Sequence, residues 1–290
     1  MTRRPTRGAT FHRPRKRFGQ HFLASHWARK VVAAINPQPG DVFLEIGPGA
    51  GALTLPLAES GARILAVEID RDLVAALAPQ VPPNVTIIAG DVMETDVVPY
   101  LTGLESQRPP GDSGARPTRR FRIVGNLPYN LTSPILFRLA ALQEQHRLFH
   151  DATLMVQREV ADRLAARAGT KDYGVLTVML QLHGSLTRIL NLPPGAFSPP
   201  PKVDSSVIRL AFGPAPVRIP DLRLFERVVK QAFQQRRKTV ANTLKGLVPA
   251  PAEVLAEAGL DPRRRPETLT LEELARLTEK VAGTLRRPVL

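Results

Sequence analysis

The sequence predicts an α/β protein, in which a mostly parallel, doubly wound sheet is followed by a small all-helical domain. Between residues 41 and 167, short apolar runs alternate with helix-like segments, an order typical of parallel sheets covered on both faces. Two further apolar runs are separated by a proline-rich loop without a helix, so they should pair antiparallel at the sheet edge. After residue 214 the sequence has helical periodicity only, which predicts the second domain.

Seven strands are predicted, because each is a short run rich in Val, Ile, Leu or Phe. They lie at residues 41–47, 62–70, 84–91, 121–126, 152–157, 185–192 and 205–212. Helices are predicted where apolar residues recur at helical spacing, and the first of them stops at Gly61. They lie at residues 50–61, 71–81, 134–145, 158–167, 222–235, 236–247, 251–258 and 271–285.

The length and composition predict two domains and an N-terminal arm. The chain has 290 residues, of which 43% are hydrophobic, enough for one large and one small domain. We place the larger domain at residues 18–213 and the helical domain at residues 214–290. Residues 1–17 carry seven Arg or Lys residues and no acid, and we expect a disordered basic arm there. This arm lacks the apolar region of a secretory signal, and a mitochondrial transit peptide is the alternative.

The charge balance points to a polyanionic partner. The formal net charge is +14, which predicts binding to nucleic acid first of all. An anionic membrane is the weaker alternative, because no basic amphipathic helix with an aromatic face stands out. A second alternative is that the positive charge only reflects a genome that favours Arg codons. No apolar run reaches the roughly 18 residues that span a bilayer, so we expect a soluble protein. The absence of cysteine excludes disulfides and Cys-ligated zinc, and no metal site is predicted.

A glycine-rich turn follows the first predicted strand. Gly47, Gly49 and Gly51 lie in LEIGPGAG, where glycines allow a tight turn and close approach of the backbone to a ligand. The pattern also satisfies the dinucleotide motif, so alone it does not separate NAD from S-adenosylmethionine. Glu68 stands 21 residues after Gly47, at the end of the second strand, where an acid can accept hydrogen bonds from both ribose hydroxyls. A nucleoside cofactor is therefore predicted.

Two more polar residues end the next two strands. Asp91 follows the third strand and can accept a hydrogen bond from an adenine amino group; an N-cap or turn aspartate is the alternative. Asn126 ends the fourth strand. Because ligands of doubly wound sheets bind beyond the carboxyl ends of the strands, these residues should line one crevice with Gly47 and Glu68.

The segment Asn126-Leu127-Pro128-Tyr129 combines groups that can hold a base. The Asn126 amide oxygen and the Leu127 carbonyl can each accept a hydrogen bond from an exocyclic amine, and Pro128 restricts the backbone that follows them. Tyr129 offers a flat face for stacking. A structural turn with a packing tyrosine is the alternative, which explains the proline but leaves the amide without a purpose.

These motifs resemble those of a known family. NLPY is similar to the Asn/Asp-Pro-Pro-Tyr signature of N6-adenine methyltransferases. The whole chain resembles the bacterial 16S ribosomal RNA adenine N6,N6-dimethyltransferases in five stretches: KRFGQHFL (16–23), LEIGPGAGALT (44–54), NLPYNLTSPIL (126–136), AFSPPPKVDSSV (196–207) and FQQRRKTVANTL (233–244). One departure is His21, where many members carry Asn.

The resemblance implies a class I S-adenosylmethionine-dependent methyltransferase fold, Rossmann-like with a mostly parallel seven-stranded sheet, and a small helical C-terminal domain. It implies dimethylation of N6 of two adjacent adenosines near the 3′ end of small-subunit (16S) ribosomal RNA. The substrate would be the 30S particle or its precursor, and the enzyme would take part in small-subunit biogenesis. We expect a cytoplasmic, monomeric protein without membrane contact.

The expected site residues fall into three groups. The resemblance implies that the cofactor contacts His21, Leu23, Gly47, Gly49, Glu68, Asp91 and Asn126. The expected catalytic residues are Asn126, Leu127, Pro128, Tyr129 and Phe197. Tyr129 and Phe197 would sandwich the target base, with Phe197 on a proline-stiffened loop. Clustered charge predicts RNA contacts at Arg15, Lys16, Arg17, Arg236, Arg237 and Lys238, and a solvated helix face is the alternative for the last three.

Three other functions are weighed against this one. A macrolide-resistance methyltransferase of large-subunit RNA usually shows Asn-Ile-Pro-Tyr, whereas this chain has Leu127, and PPPKVDS also favours the small-subunit group. A non-enzymatic RNA-binding assembly or transcription factor would not need an intact NLPY. A Rossmann oxidoreductase would have no use for that motif either.

Overall fold

The structure is a computed structural model that describes residues 21–106, 121–235 and 237–286. The predicted basic arm lies outside the described residues, and with it the predicted RNA contacts Arg15, Lys16 and Arg17. Arg236 lies outside them as well.

The described strands form one large sheet and one small sheet. They are β1 (Phe22–Leu23), β2 (Val42–Ile46), β3 (Arg63–Glu68), β4 (Val85–Ala89), β5 (Phe121–Asn126), β6 (Phe149–Gln157), β7 (Gly184–Leu192), β8 (Phe197–Ser198) and β9 (Ser205–Phe212). The large sheet has seven strands in the order β4-β3-β2-β5-β6-β9-β7, and the first five of these are mutually parallel. The mostly parallel seven-stranded sheet is therefore confirmed.

The antiparallel end of the sheet differs in one detail from the prediction. β9 pairs antiparallel with β7, as expected, but it also pairs antiparallel with β6. Only β7 therefore occupies the edge, and β9 is inserted between β6 and β7. β1 and β8 pair separately, with Phe22 opposite Ser198 and Leu23 opposite Phe197.

The described helices surround the sheet and form the C-terminal region. They are α1 (Ser25–Ile35), α2 (Thr54–Glu59), α3 (Arg71–Leu77), α4 (Val98–Ser106), α5 (Thr132–His146), α6 (Arg158–Leu164), α7 (Val175–Gln181), α8 (Leu222–Phe233), α9 (Val240–Thr243), α10 (Pro251–Glu257) and α11 (Leu271–Arg286). Three of them, α1, α4 and α7, are absent from the predicted set. In α7 the five residues from Leu176 to Leu180 are all buried, so burial on all sides removes the helical periodicity on which a prediction depends.

The predicted helix at 236–247 is wrong in its extent. Helix α9 begins only at Val240 and has four residues, followed by a 3-10 turn at Leu244–Gly246. The Thr239 side chain accepts a hydrogen bond from the Asn242 N–H at 3.4 Å, which places the helix start after the basic cluster. Arg237 and Lys238 therefore precede the helix rather than lying on it.

The apolar core lies on both faces of the sheet. Along β2, Val42, Leu44 and Ile46 pack with β5, β6 and α5 on one face, and Phe43 packs with α1 and α2 on the other. Alternate residues of a strand point to opposite faces, so a strand covered on both sides is apolar throughout. The carboxyl ends of the parallel strands are left as the open edge between these layers.

A third apolar cluster joins the C-terminal helices to the sheet domain. It contains Phe225, Leu244, Leu255 and Leu274 from the helical region, all fully buried. It also takes residues of α7, including Val178, from the sequence before residue 213. The helical region therefore packs on α7. The domain boundary between residues 213 and 214 stays a prediction.

A buried ion network closes the end of the sheet opposite the carboxyl ends. Arg122 of β5 donates from Nε and Nη2 to the two carboxylate oxygens of Asp151, both at 2.9 Å, and from Nη1 to Asp41 at 3.0 Å. Its Nη2 also donates to the carbonyl of Ile35, at the end of α1, at 2.8 Å. Arg209 adds a bond to the Ala34 carbonyl at 2.6 Å. These cations satisfy the last carbonyls of α1 and tie that helix to the sheet.

Candidate active site

A cleft of about 1020 Å³, including the part open to solvent, lies at the carboxyl ends of the parallel strands. It is lined by residues 21–23, 45–50, 52–53, 67–69, 73, 90–92, 126–129, 131, 135 and 155. Of the expected cofactor and catalytic residues, all except Phe197 line this cleft. The structure thus brings the strand-end residues together, and the role of each stays a prediction.

The glycine turn and Glu68 form one hydrogen-bonded unit. Gly47, Gly49 and Gly51 all have positive φ, at 67°, 57° and 85°, a conformation that other residues rarely adopt. Glu68 is 6% exposed, and its Oε2 accepts from the Gly49 N–H at 3.0 Å while Oε1 accepts from the Asp70 N–H at 2.9 Å. Burial raises the pKa of the Glu68 carboxyl, and these two N–H groups act against that rise. The carboxylate therefore shapes the turn as well as facing the cleft.

Asp91 serves partly as a turn residue. Its Oδ1 accepts a hydrogen bond from the Met93 N–H at 2.8 Å, as the turn alternative requires. Its Oδ2 makes no hydrogen bond with any residue that the structure describes. One oxygen is thus committed to the loop and the other can accept a bond in the cleft.

The end of β5 presents two hydrogen-bond acceptors. The Asn126 side chain donates from Nδ2 to the His21 carbonyl at 2.8 Å, which fixes the amide with Oδ1 as its remaining acceptor. The Leu127 N–H is bonded to the Met155 carbonyl at 3.1 Å, and no described residue donates to the carbonyl of Leu127. Two oxygens from successive residues are therefore free to accept bonds at the cleft.

The Tyr129 side chain is held by a hydrogen bond at its hydroxyl and by a stacking contact at its ring. Its hydroxyl is hydrogen-bonded to Ser205 Oγ at 2.8 Å, and its ring is stacked on the His21 imidazole at 5.6 Å between centroids and 26° between planes. Burial raises the pKa of the Tyr129 hydroxyl, so this group stays protonated at neutral pH. The tyrosine is a rigid flat surface rather than an acid or base.

Phe197 does not line the cleft in this structure, and its expected stacking role stays a prediction. Phe197 is 4% exposed, pairs with Leu23 in the small sheet and packs in the apolar cluster that also contains the cleft residue Leu53. The partner of Tyr129 in the structure is His21, and the apolar side chain of Phe197 fills the core because β1 brings Leu23 against it.

Glu45 is a cleft residue that motif reasoning missed. It is 1% exposed, and its Oε2 has no hydrogen-bond partner among the described residues. Burial raises the pKa of Glu45 to about 7, and the negative charge of Glu68 adds to the rise. The sequence could have indicated this residue, because Glu45 is an acid within a buried apolar strand. An acid at such a position more often has a functional role than a packing role.

Replacing Glu45 by Gln should remove a pH dependence of stability. Because the carboxyl has an ordinary pKa of 4.5 and a folded value near 7, the wild type loses stability as the pH rises between these values. Glu45→Gln should therefore raise the free energy of unfolding by about 1–3 kcal/mol at pH 8 and leave it unchanged at pH 4. Urea unfolding at both pH values measures this. The matched control Glu94→Gln, at an exposed acid, should change neither value, and equal pH slopes for wild type and Glu45→Gln would contradict the expectation.

Two basic segments of the C-terminal region lie next to each other. Arg237 and Lys238 are exposed and make no ion pair with the described residues. Beside them, the Val240 N–H donates to the Arg264 carbonyl at 2.9 Å, which brings the loop with exposed Arg265 next to the cluster. The basic run DPRRR at residues 261–265 is visible in the sequence. Only the fold, however, brings it close to Arg237 and Lys238.

Two negative findings apply to residues 21–106, 121–235 and 237–286. No group of three His, Cys, Asp or Glu side chains there could hold a metal ion. No helix in that part of the chain combines the length and the apolar character needed to span a bilayer.

Comparison with known proteins gives a consistent result. The family model of ribosomal RNA adenine dimethylases matches residues 11–282. Ribosomal RNA small subunit methyltransferase A of Vibrio parahaemolyticus is 42% identical over 93% of this chain and 95% of its own length. The protein of the same name from Nitrosococcus oceani is 45% identical over 92% of this chain and 96% of its own length.

Two solved structures share the fold. A dimethyladenosine transferase from Plasmodium falciparum superimposes with a TM-score of 0.69 at 23% identity, covering 91% of this chain and 98% of that one. The 23S rRNA methyltransferase ErmE superimposes with a TM-score of 0.59 at 24% identity, covering 90% of this chain and 99% of that one. With a family model that spans most of the sequence and relatives above 40% identity along nearly their full length, the chain belongs to the ribosomal RNA adenine dimethylase family.

Proposed function

We propose that this enzyme uses S-adenosylmethionine to dimethylate N6 of two adjacent adenosines near the 3′ end of 16S ribosomal RNA in the 30S particle or its precursor. It would do so as a cytoplasmic monomer during small-subunit biogenesis. The observation that carries the proposal is the pair of free acceptors, Asn126 Oδ1 and the Leu127 carbonyl, at the edge of the cleft. An exocyclic amine has two hydrogens, and two adjacent oxygens match it.

The residues around the cleft fit a nucleoside cofactor. Glu68 places a carboxylate where ribose hydroxyls can donate, and Asp91 Oδ2 is an acceptor suited to an adenine amino group. Ile69 is 46% exposed at the cleft, an apolar surface suited to the face of a base. The unpartnered Glu45 Oε2 is suited to the ammonium group of the methionine part. When bound, S-adenosylmethionine supplies a sulfonium methyl group that is already electrophilic.

The residues of this chain would act mainly by placement. Adenine N6 is a weak nucleophile because its lone pair is delocalised into the ring. Hydrogen bonds from its two hydrogens to Asn126 Oδ1 and the Leu127 carbonyl would reduce the delocalisation of the lone pair into the ring and aim it at the methyl group. Tyr129 would stack on the extruded base, an interaction worth about 1–3 kcal/mol, comparable with the cost of extrusion. The methylated nitrogen loses its surplus proton to water, so no basic side chain is needed.

The comparisons with known proteins give less support to the alternative functions. The relatives at 42–45% identity carry a small-subunit name, whereas the large-subunit enzyme ErmE is 24% identical. A transcription factor or an oxidoreductase would not require the paired acceptors of Asn126 and Leu127. These differences support the small-subunit substrate over the others.

The direct test is mass spectrometry of ribosomal RNA after incubation with the protein and S-adenosylmethionine. Unmodified 30S and 50S particles serve as competing substrates. We expect two adjacent dimethyladenosines near the 3′ end of the small-subunit RNA and none without the cofactor. Methylation restricted to the large-subunit RNA, or no methylation of either, would overturn the proposal.

Removing the charges of the C-terminal cluster should weaken RNA binding in a salt-dependent way. Each phosphate neutralised contributes roughly 0.7–0.9 to the slope of log affinity against log salt. Arg237→Ala combined with Lys238→Ala should therefore reduce the slope for 30S particles by about 1.4–1.8. Filter binding at several salt concentrations measures it. The matched control Lys230→Ala, at a residue already paired with Glu226 at 2.5 Å, should change the slope less, and an unchanged slope in the double variant would exclude these contacts.

A further inference from the structure

Helix α1 exposes a basic face. Its other side, with Ala28, Val31 and Ile35, is buried in the apolar core. The exposed positions, which we call the α1 face, form one stripe along the helix: Ser25, His26, Arg29, Lys30 and Ala33. This face contains two cations and no acid, and the chain has no Asp or Glu before Asp41. The positive charge of the N-terminal sequence therefore continues into α1.

The two cations of the α1 face are not neutralised by acids. Neither Arg29 nor Lys30 forms an ion pair with a residue that the structure describes. The adjacent helix α2 has a single acid, Glu59, which is its last residue. Several exposed cations elsewhere are paired, namely Arg158 with Asp204, Arg188 with Asp162, and Lys230 with Glu226. Unpaired cations keep their full charge for a polyanion.

The lysine of this face is held by the only tryptophan of the chain. Trp27 is half-buried beside the α1 face, and Lys30 Nζ lies 4.3 Å from the centroid of its ring. His26 flanks the same ring, at 5.2 Å between centroids. The cation–π contact keeps the ammonium group near the helix surface, and that group has three hydrogens to donate. A phosphate would therefore bind a lysine that has already lost part of its side-chain freedom.

The direction of α1 places this face beside the cleft. Leu23, two residues before the helix, lines the cleft, and the carbonyl of Ile35 is bound by Arg122 at the opposite end of the sheet. The helix therefore starts at the cleft and runs away from it. Arg29 is four residues after Ser25, which corresponds to about 6 Å along the helix axis, and its long side chain adds to this reach. Phosphates a few nucleotides from a base in the cleft lie at such distances.

We infer that the α1 face is an RNA-contact surface, on which Arg29 and Lys30 bind phosphates of the ribosomal RNA beside the target adenosines. This inference rests on the proposed function and deepens it, because it adds RNA contacts next to the cleft to those predicted for the N-terminal arm and for residues 236–238. Contacts to phosphates fix the position of a nucleic acid without reading its sequence. The α1 face would therefore position the RNA, and the choice of base would be left to the cleft.

The salt dependence of binding to unmodified 30S particles tests this surface. Arg29→Gln and Lys30→Gln should each lower the slope of log affinity against log salt by roughly 0.7–0.9, and the double variant should lower it by about 1.4–1.8. Arg147→Gln is the matched control and should leave the slope unchanged. It removes one exposed cation just after α5, at the end of the sheet away from the cleft.

Methylation kinetics separate a lost RNA contact from damage to the active site. In the double variant, KM for 30S particles should rise by roughly three- to tenfold. Its kcat and its cofactor Kd, measured by calorimetry, should stay within about twofold of wild type. Thermal unfolding checks the fold of each variant.

A tethered probe locates the RNA directly. Because the chain has no cysteine, Ser25→Cys introduces a single thiol on the α1 face, to which an iron chelate that generates hydroxyl radicals can be attached. Cleavage is expected near the 3′ end of the small-subunit RNA. The same probe at His146→Cys, in the last turn of α5, should not cleave there.

Three results would overturn the inference while methylation by the wild type still supported the proposed function. They are an unchanged salt slope in the double variant, an equal loss of slope in Arg147→Gln, and no RNA cleavage from the probe at residue 25. A wild-type enzyme inactive on 30S particles would instead refute the proposed function, and the inference with it.

Discussion

Asn126→Ala should lower kcat for methyl transfer by about 10²–10³-fold while the protein stays folded. The expected loss is that of one of the two proposed acceptors for the target amine, an electrostatic contribution of the size seen when a single such group is deleted. Asn126 is partly exposed at the end of β5, so truncation creates no large cavity in the core. Methyl incorporation into 30S particles measures the effect, and calorimetry with S-adenosylmethionine separates it from lost cofactor affinity.

Two further variants sharpen this prediction. Asn130→Ala removes an exposed amide four residues further along the same segment and should keep wild-type turnover. Asn126→Asp keeps an acceptor but replaces the donor that holds the His21 carbonyl, so an intermediate loss is expected. Wild-type turnover in Asn126→Ala would show that the amide does not hold the base.

Arg122→Ala should lower the free energy of unfolding by about 3–5 kcal/mol, the largest stability effect we expect. The Arg122 side chain is 12% exposed and that of Asp151 is 4% exposed. Without Arg122 the Asp151 carboxylate would remain in the interior with only longer contacts among the described residues, to Arg209 Nε at 3.5 Å and to His150 Nδ1 at 3.7 Å. Two carbonyls at the end of α1 would also lose a donor. Chemical denaturation at pH 7 measures the loss.

The control for this prediction is a salt bridge at the surface. Arg158 and Asp204 lie 3.4 Å apart with side chains 61% and 45% exposed, so Arg158→Ala should cost about 0–1 kcal/mol. In the double variant Arg122→Met with Asp151→Asn, neither buried charge remains and part of the stability should return. A loss in Arg122→Ala no larger than in Arg158→Ala would show that the network adds little to the fold.

Much of the sheet could be predicted because its residues carry a local signal. β2, β3, β5 and β6 are largely buried on both faces, so most of their residues are apolar. Parallel strands also bring their carboxyl ends to one edge whatever the order of the strands. The meeting of Gly47, Glu68, Asp91 and Asn126 in one cleft therefore follows from their positions in the sequence.

Several features that escaped prediction lack such a signal. α7 is buried from Leu176 to Leu180, and α9 is a four-residue helix whose start is set by a single capping threonine. In the sequence, Glu45 is a single acid within an apolar strand. Its raised pKa depends on its burial and on the nearby charge of Glu68, and both arise only in the folded chain. In the sequence, Phe197 looks like a loop residue because prolines surround it. Its burial depends on pairing with Leu23, which is far away in the chain. For Glu45 and Phe197 the missing information is a contact between distant segments.

The sequence by itself determined the family, the parallel sheet and the identity of the groups that end its strands. The tertiary structure alone decided how those groups are oriented. The Asn126 amide presents its oxygen to the cleft because its nitrogen is bound to His21, 105 residues away in the chain. The imidazole of that residue is fixed by Pro199, 178 residues away. A local pattern specifies which donors and acceptors are present, but their direction is set by partners that only folding brings within hydrogen-bonding distance.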